Sequence, residues 1–79
     1  MDNRHIWVVD DDESIRWVLE RGLSEKGMDV KTFDSANKVI KKLETENPQL
    51  ILTDIRMPGK SGIDLLDQVK ELRPEIPII

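Results

Sequence analysis

The chain contains no cysteine. Neither a disulfide framework nor a thiolate metal site is therefore open to it. Long hydrophobic runs are also missing. No apolar stretch approaches the roughly 20 residues that cross a bilayer. The opening Met1-Asp2-Asn3-Arg4-His5 lacks the apolar region of a signal peptide. Positive charge is in deficit: 12 Lys and Arg face 16 Asp and Glu, for a net charge of −4. That balance argues against direct contact with nucleic acid or an anionic membrane. Internal repeats, low-complexity tracts and linkers are lacking as well. These absences leave a soluble domain in the reducing cytoplasm as the expectation.

What is present is compact in extent and highly charged. At 79 residues, with 38% hydrophobic and 35% charged positions, the chain makes at most one small domain. A domain of this size buries only about 60–65% of its unfolded surface, so its stability margin is thin.

Strand and helix signals alternate. Ile6-Trp7-Val8-Val9 has no polar alternation, as expected of a strand covered on both faces. A helix follows near Glu13–Lys26, with Ile15, Val18, Leu19 and Leu23 on one stripe. Gly27 reads as its stop. Met28 to Phe33 alternates and reads as an edge strand. Asp34 or Ser35 can cap a second helix whose apolar face is Ala36, Val39, Ile40 and Leu43, broken by Asn47-Pro48. Leu50-Ile51-Leu52-Thr53 is a second buried strand. A breaker-rich loop, Met57-Pro58-Gly59-Lys60-Ser61-Gly62, leads into a third helix from about Ser61 to Leu72. Its expected inward positions are Leu65, Leu66, Val69 and Leu72. Pro74 closes it, and Ile76-Pro77-Ile78-Ile79 opens a fourth strand. This order favours a parallel sheet with crossover helices. The chain stops inside its fourth strand, so the expectation is a truncated domain.

The acids carry the chemistry. Asp10, Asp11 and Asp12 directly follow the first buried strand, and Asp54 follows the other. Clustered carboxylates repel one another and are costly to desolvate unless something neutralises them. Two apolar strands ending in acids point to one cation-binding pocket at the carboxyl edge of a parallel sheet, where open α/β sheets place ligands. The bland alternative is helix capping by solvated acids. Capping needs one acid, not three behind a strand. Trp7 and Trp17 read as packing residues, His5 as a surface residue and Arg16 as a solvated helix residue. Lys38, Lys41 and Lys42 read as the wet face of the second helix.

At these positions the chain resembles a known family. Val8-Val9-Asp10-Asp11, Ser14-Ile15-Arg16, the run Leu52 to Gly59 and Gly62 look like the receiver domain of two-component response regulators. Ile6 to Asp12 and Ser14 to Arg21 are similar in particular to the nitrogen-regulation (NtrC-type) transcription activators. The resemblance covers residues 1–79, which would be the N-terminal two-thirds of a receiver. It implies a flavodoxin-like parallel sheet with flanking helices, incomplete here as about βαβαβαβ, with order 2-1-3-4-5 in the whole domain.

The resemblance also implies chemistry. Asp54 would accept a phosphoryl group from a sensor histidine kinase, with Mg²⁺ as cofactor. Direct metal ligation is implied for Asp11, a water-mediated role for Asp10, participation of Asp54, and a backbone carbonyl ligand from Arg56. Asp12 is the weaker metal candidate and could cap the first helix. A divalent metal removes the repulsion between carboxylate and phosphoryl group. Mg²⁺ suits such an oxygen donor set. The domain would be a phosphoacceptor rather than an enzyme, within a parent that activates nitrogen-metabolism genes. The Ser or Thr and the Lys that complete such sites would lie beyond residue 79, so the fragment is not expected to switch.

Two other classes compete. Asp10-x-Asp12 after an apolar strand is also similar to haloacid-dehalogenase-type phosphatases, with Asp10 as nucleophile and Asp12 as acid/base. That reading leaves Asp54 and the Met57-Pro58-Gly59 loop unexplained. A non-catalytic folding or assembly fragment is the third class. A calcium loop beginning at Asp10 fails, because its sixth and twelfth positions are Ile15 and Arg21 instead of Gly and Glu. Apolar surface left uncovered by truncation predicts a homodimer or higher oligomer.

Overall fold

The computed structural model describes residues 4–54 and 62–79. Three parallel strands form its centre: β1 (His5–Val9), β2 (Asp29–Phe33) and β3 (Leu50–Thr53), in the order β2-β1-β3. Ile6 pairs with Val30 on one side and Leu50 on the other, and Val9 pairs with Phe33 and Thr53. The expected fourth strand is present as a single parallel bridge, Ile51 to Ile78. Ile51 N–H donates to Pro77 O at 3.0 Å and Thr53 N–H to Ile79 O at 2.9 Å.

Strand alternation sends β1 side chains to two faces. Trp7, Val9 and Ile51 join Phe33, Ala36, Val39, Leu43, Leu65, Val69 and Ile76 in one core. This core lies under α2 (Ala36–Lys42) and α3 (Gly62–Leu72). The Trp7 and Phe33 rings meet at 5.0 Å between centroids, tilted by 55°, a favourable aromatic geometry. Arg73 donates from Nη2 to Leu43 O at 3.0 Å and ties the end of α3 to the end of α2. Ser35 is the residue that caps α2, accepting from Lys38 N–H at 3.4 Å.

The opposite face is covered by α1 (Glu13–Glu25), which packs against β1 and β2. Its start and stop are both written locally. Asp12 caps its N-terminus, and Glu13 adds a favourable charge in the first turn. At its other end Gly27 takes φ 85°. Gly27 N–H donates to Ser24 O and Met28 N–H to Leu23 O, the paired bonds of a glycine-terminated helix.

Four expectations are corrected here. Ile15 and Val18 do not face inward: they are 45% and 57% exposed, and α1 has no buried residue. Only Leu19 and Leu23 of that stripe are half-buried. Leu72 is also exposed, because the inward line of α3 runs through Leu65 and Val69 and ends a turn earlier. Trp17 is no packing residue; it is exposed, and the Arg21 guanidinium lies 5.3 Å from its ring centroid. For Ile15, Val18 and Leu72 apolar periodicity reported a helix face, but the face is wider than the surface available to cover it.

Candidate metal and phosphoacceptor site

Parallel pairing places the ends of β1 and β3 side by side. Asp10 N–H donates to Phe33 O at 3.0 Å, and Asp54 N–H donates to Val9 O at 2.9 Å. The sheet therefore hands both acids off at the same carboxyl edge. Asp10, Asp11 and Asp54 each offer a carboxylate oxygen, and these oxygens lie within 4.8 Å of one another. Asp10 and Asp54 are half-buried, while Asp11 is exposed. Backbone pairing sets Asp10 and Asp54 side by side, and Asp11 follows Asp10 directly in the chain. That is the arrangement a hard cation can occupy.

Asp12 behaves differently from its two neighbours. Its Oδ1 accepts from Ser14 N–H at 2.8 Å and Ile15 N–H at 3.3 Å. This carboxylate satisfies the orphan donors of α1. The capping reading thus holds for one acid of three. The Asp12 N–H in turn donates to Asp10 Oδ1 at 2.9 Å, bracing the loop. Arg56, and with it the Met57-Pro58-Gly59 loop, lies outside the described residues.

Beside the acids lies an open pocket of about 260 Å³, lined by Val8, Val9, Leu19, Leu52, Thr53 and Ile79 together with Asp10 and Asp54. Its floor is apolar and its rim is acidic. Thr53 Oγ1 donates to Asp54 O at 3.1 Å. Arg16 was not legible as part of this neighbourhood. Its Nη1 donates to the Asp10 carbonyl at 2.7 Å. The available signal was positional: a long side chain in the first turn of a helix leans back toward the loop before it.

Other ion pairs among the described residues lie away from this edge. His5 Nδ1 is 3.2 Å from Asp29 Oδ2 at the opposite edge of the sheet, and both are exposed. Lys38 pairs with Asp34 at 2.8 Å, and its hydrogen bond holds that carboxyl below the usual range. Glu46 sits between Lys31 at 2.7 Å and Lys42 at 3.3 Å. Lys31 first, and Lys42 second, hold the Glu46 carboxyl below its ordinary value. The α2 lysines thus form a solvated face, as read from the sequence, and Lys38 and Lys42 find acidic partners there.

Comparison with known proteins adds an independent line. The response regulator receiver domain profile matches residues 6–79. The DNA-binding transcriptional regulator NtrC of Klebsiella pneumoniae is 52% identical over 73 residues, covering 92% of this chain and 16% of that protein. The chain thus spans about one sixth of the length of the NtrC relatives it matches. Among solved structures, the apo receiver domain of nitrogen regulatory protein C superposes with a TM-score of 0.89 at 48% identity, over all of this chain and 64% of that one. Response regulator TrrA of Thermotoga maritima, solved in complex with Mg(2+)-BeF, gives a TM-score of 0.90 at 32% identity, over 95% of this chain and 65% of that one.

Proposed function

This chain belongs to the response regulator receiver domain family, and from that membership we propose that it accepts a phosphoryl group on Asp54, with Mg²⁺ held by Asp10, Asp11 and Asp54. The observation that carries the proposal is the convergence of these three carboxylates within 4.8 Å at one sheet edge. Residues 1–79 are read as the N-terminal two-thirds of a receiver in an NtrC-type transcription activator, a regulatory role rather than an enzymatic one. The donor is a phosphohistidine on a sensor histidine kinase.

The donor set suits the metal. Three carboxylate oxygens are hard, anionic ligands, and Mg²⁺ prefers such oxygens with waters completing its shell. Bound Mg²⁺ supplies charge neutralisation between the acceptor carboxylate and the phosphoryl oxygens. The chain's residues do the rest. An Asp54 carboxylate oxygen forms the new O–P bond while the donor N–P bond breaks, and its electron pair stays on the donor imidazole, which takes up a proton. Asp54 is oriented by its backbone bond to Val9 and by β3 packing. Because the transition state is loose, this positioning and the surrounding charge carry the rate.

The phosphatase-like alternative needs Asp12 as a mobile acid/base. Its carboxylate is instead engaged by two N–H groups of α1, which disfavours that role. A second proposal concerns partners. Ile15, Trp17 and Val18 of α1 and Ile79 are each exposed, and exposed apolar side chains favour self-association into a homodimer or higher oligomer.

The test of the main proposal is phosphorylation of the chain by a small phosphodonor with Mg²⁺, read by mass. One labile adduct is expected, mapping to Asp54 after borohydride reduction. An adduct on Asp10 overturns the assignment.

A further inference from the structure

Arg16 stands in the first turn of α1, where side chains lean toward the helix N-terminus. Its guanidinium is thereby carried back over the loop between β1 and α1. Nη1 donates to the Asp10 carbonyl oxygen at 2.7 Å, across six residues of sequence, in a half-buried setting. The same residue is gripped at two further points. Its N–H donates to Phe33 O at 3.0 Å, and its Oδ1 accepts from Asp12 N–H at 2.9 Å. Two of the three anchors come from backbone. Arg16 is the side-chain anchor, and it joins α1 to the loop it follows.

The choice of oxygen is informative. Guanidinium groups bind carboxylates through a strong forked contact, and the charge of this one is felt by the Asp34 carboxylate. Arg16 bonds a carbonyl instead. A carboxylate so engaged would compete with a cation; a carbonyl does not. Directing the guanidinium onto the Asp10 carbonyl fixes the Asp10–Asp11 peptide without the guanidinium itself occupying a carboxylate oxygen.

The geometry points to Arg16 as a positioning residue for the metal-binding acids: through the Asp10 carbonyl it sets the direction of the Asp10 and Asp11 carboxylates before a cation arrives. This inference rests on the Mg²⁺ reading above and deepens it. It also sets two physical effects against each other. As a nearby positive charge, Arg16 repels Mg²⁺, so its removal should tighten binding. As a positioning group, it preorganises the ligands, so its removal should loosen binding. The sign of the change decides between them.

The experiment is a Mg²⁺ titration of the 79-residue chain, followed by tryptophan fluorescence, for the parent, Arg16→Met and Arg16→Lys, with urea unfolding of each. Methionine keeps a long helix-compatible stem without charge or donor. Lysine keeps the charge but not the planar fork. Arg16→Met is expected to bind Mg²⁺ about 5-fold more weakly, equivalent to about 1 kcal/mol, with Arg16→Lys intermediate. A purely structural contact would shift the unfolding midpoint and leave the affinity of the folded protein unchanged. Equal or tighter binding by Arg16→Met overturns the inference. If that variant does not fold, Arg16→Lys decides: affinity equal to the parent overturns it, and weaker affinity supports it. Failure of the underlying site reading looks different, since the parent itself would then show no Mg²⁺ response sensitive to Asp54→Ala.

Discussion

Asp10, Asp11 and Asp12 are adjacent and chemically alike, yet the backbone gives them separate tasks. Asp12 has its carboxylate turned onto the Ser14 and Ile15 N–H groups, whereas Asp10 and Asp11 share a cluster with Asp54. Removing each should therefore produce a different phenotype. Asp12→Ala should lower stability by about 1 kcal/mol, the usual worth of such a cap, and leave Mg²⁺ affinity within about 2-fold of the parent, a change under half a kcal/mol. Urea unfolding and a fluorescence titration on the same samples check this. A large loss of Mg²⁺ affinity in that variant would place Asp12 among the ligands. Asp54→Ala should abolish the phosphoryl adduct, read by mass, in a chain that circular dichroism shows to be folded; an adduct that persists would place the acceptor elsewhere.

Among the elements, the core beneath α2 and α3 is the tightly built one. Ile51 and Leu65 are fully buried there. Ile51→Val should cost about 0.5–1.5 kcal/mol and Leu65→Ala about 2–5 kcal/mol. The second figure rivals the whole stability of so small a domain, so Leu65→Ala should be largely unfolded by circular dichroism at room temperature. The exposed ion pairs add a pH dependence of known sign. Asp34 and Glu46 have carboxyls held below their ordinary values of 3.8 and 4.5. Their contribution is fully present above those values and is lost as pH falls through the depressed ones. Being exposed, it is small and screened by salt. Urea midpoints should fall between pH 5 and pH 3, less steeply in Glu46→Gln and less steeply at high salt. Identical slopes in parent and variant would remove Glu46 from the account.

For the molecule as a whole, the two faces of the sheet are unequal. One is closed by two helices around a continuous core. Among the described residues the other lies under α1 alone, a helix with no buried residue, and Trp17 and Val18 remain 57% exposed. Sedimentation should show mass rising with concentration through the micromolar range. Trp17→Glu with Val18→Lys, both solvent-facing changes, should shift the distribution toward monomer without loss of helix signal. A folded parent that stays monomeric throughout the range would refute self-association through this surface.

The local syntax of the chain determined its elements and their order. The apolar run before Asp10, the cap and glycine that bracket α1, and the apolar run before Asp54 all act over a few residues, so they are legible in the letters. The acid cluster was legible for the same reason: two strands that end in carboxylates must bring them together once the strands pair in parallel. Which acid caps and which ones cluster was settled only in three dimensions, by where the first N–H groups of α1 point. The exposure of Ile15, Val18 and Leu72 was also a tertiary decision, because periodicity defines a face but not how much surface meets it. Arg16 shows the limit most clearly. Its bond to the Asp10 carbonyl depends on the angle at which α1 leaves the sheet, and that angle is set by packing between elements distant in sequence.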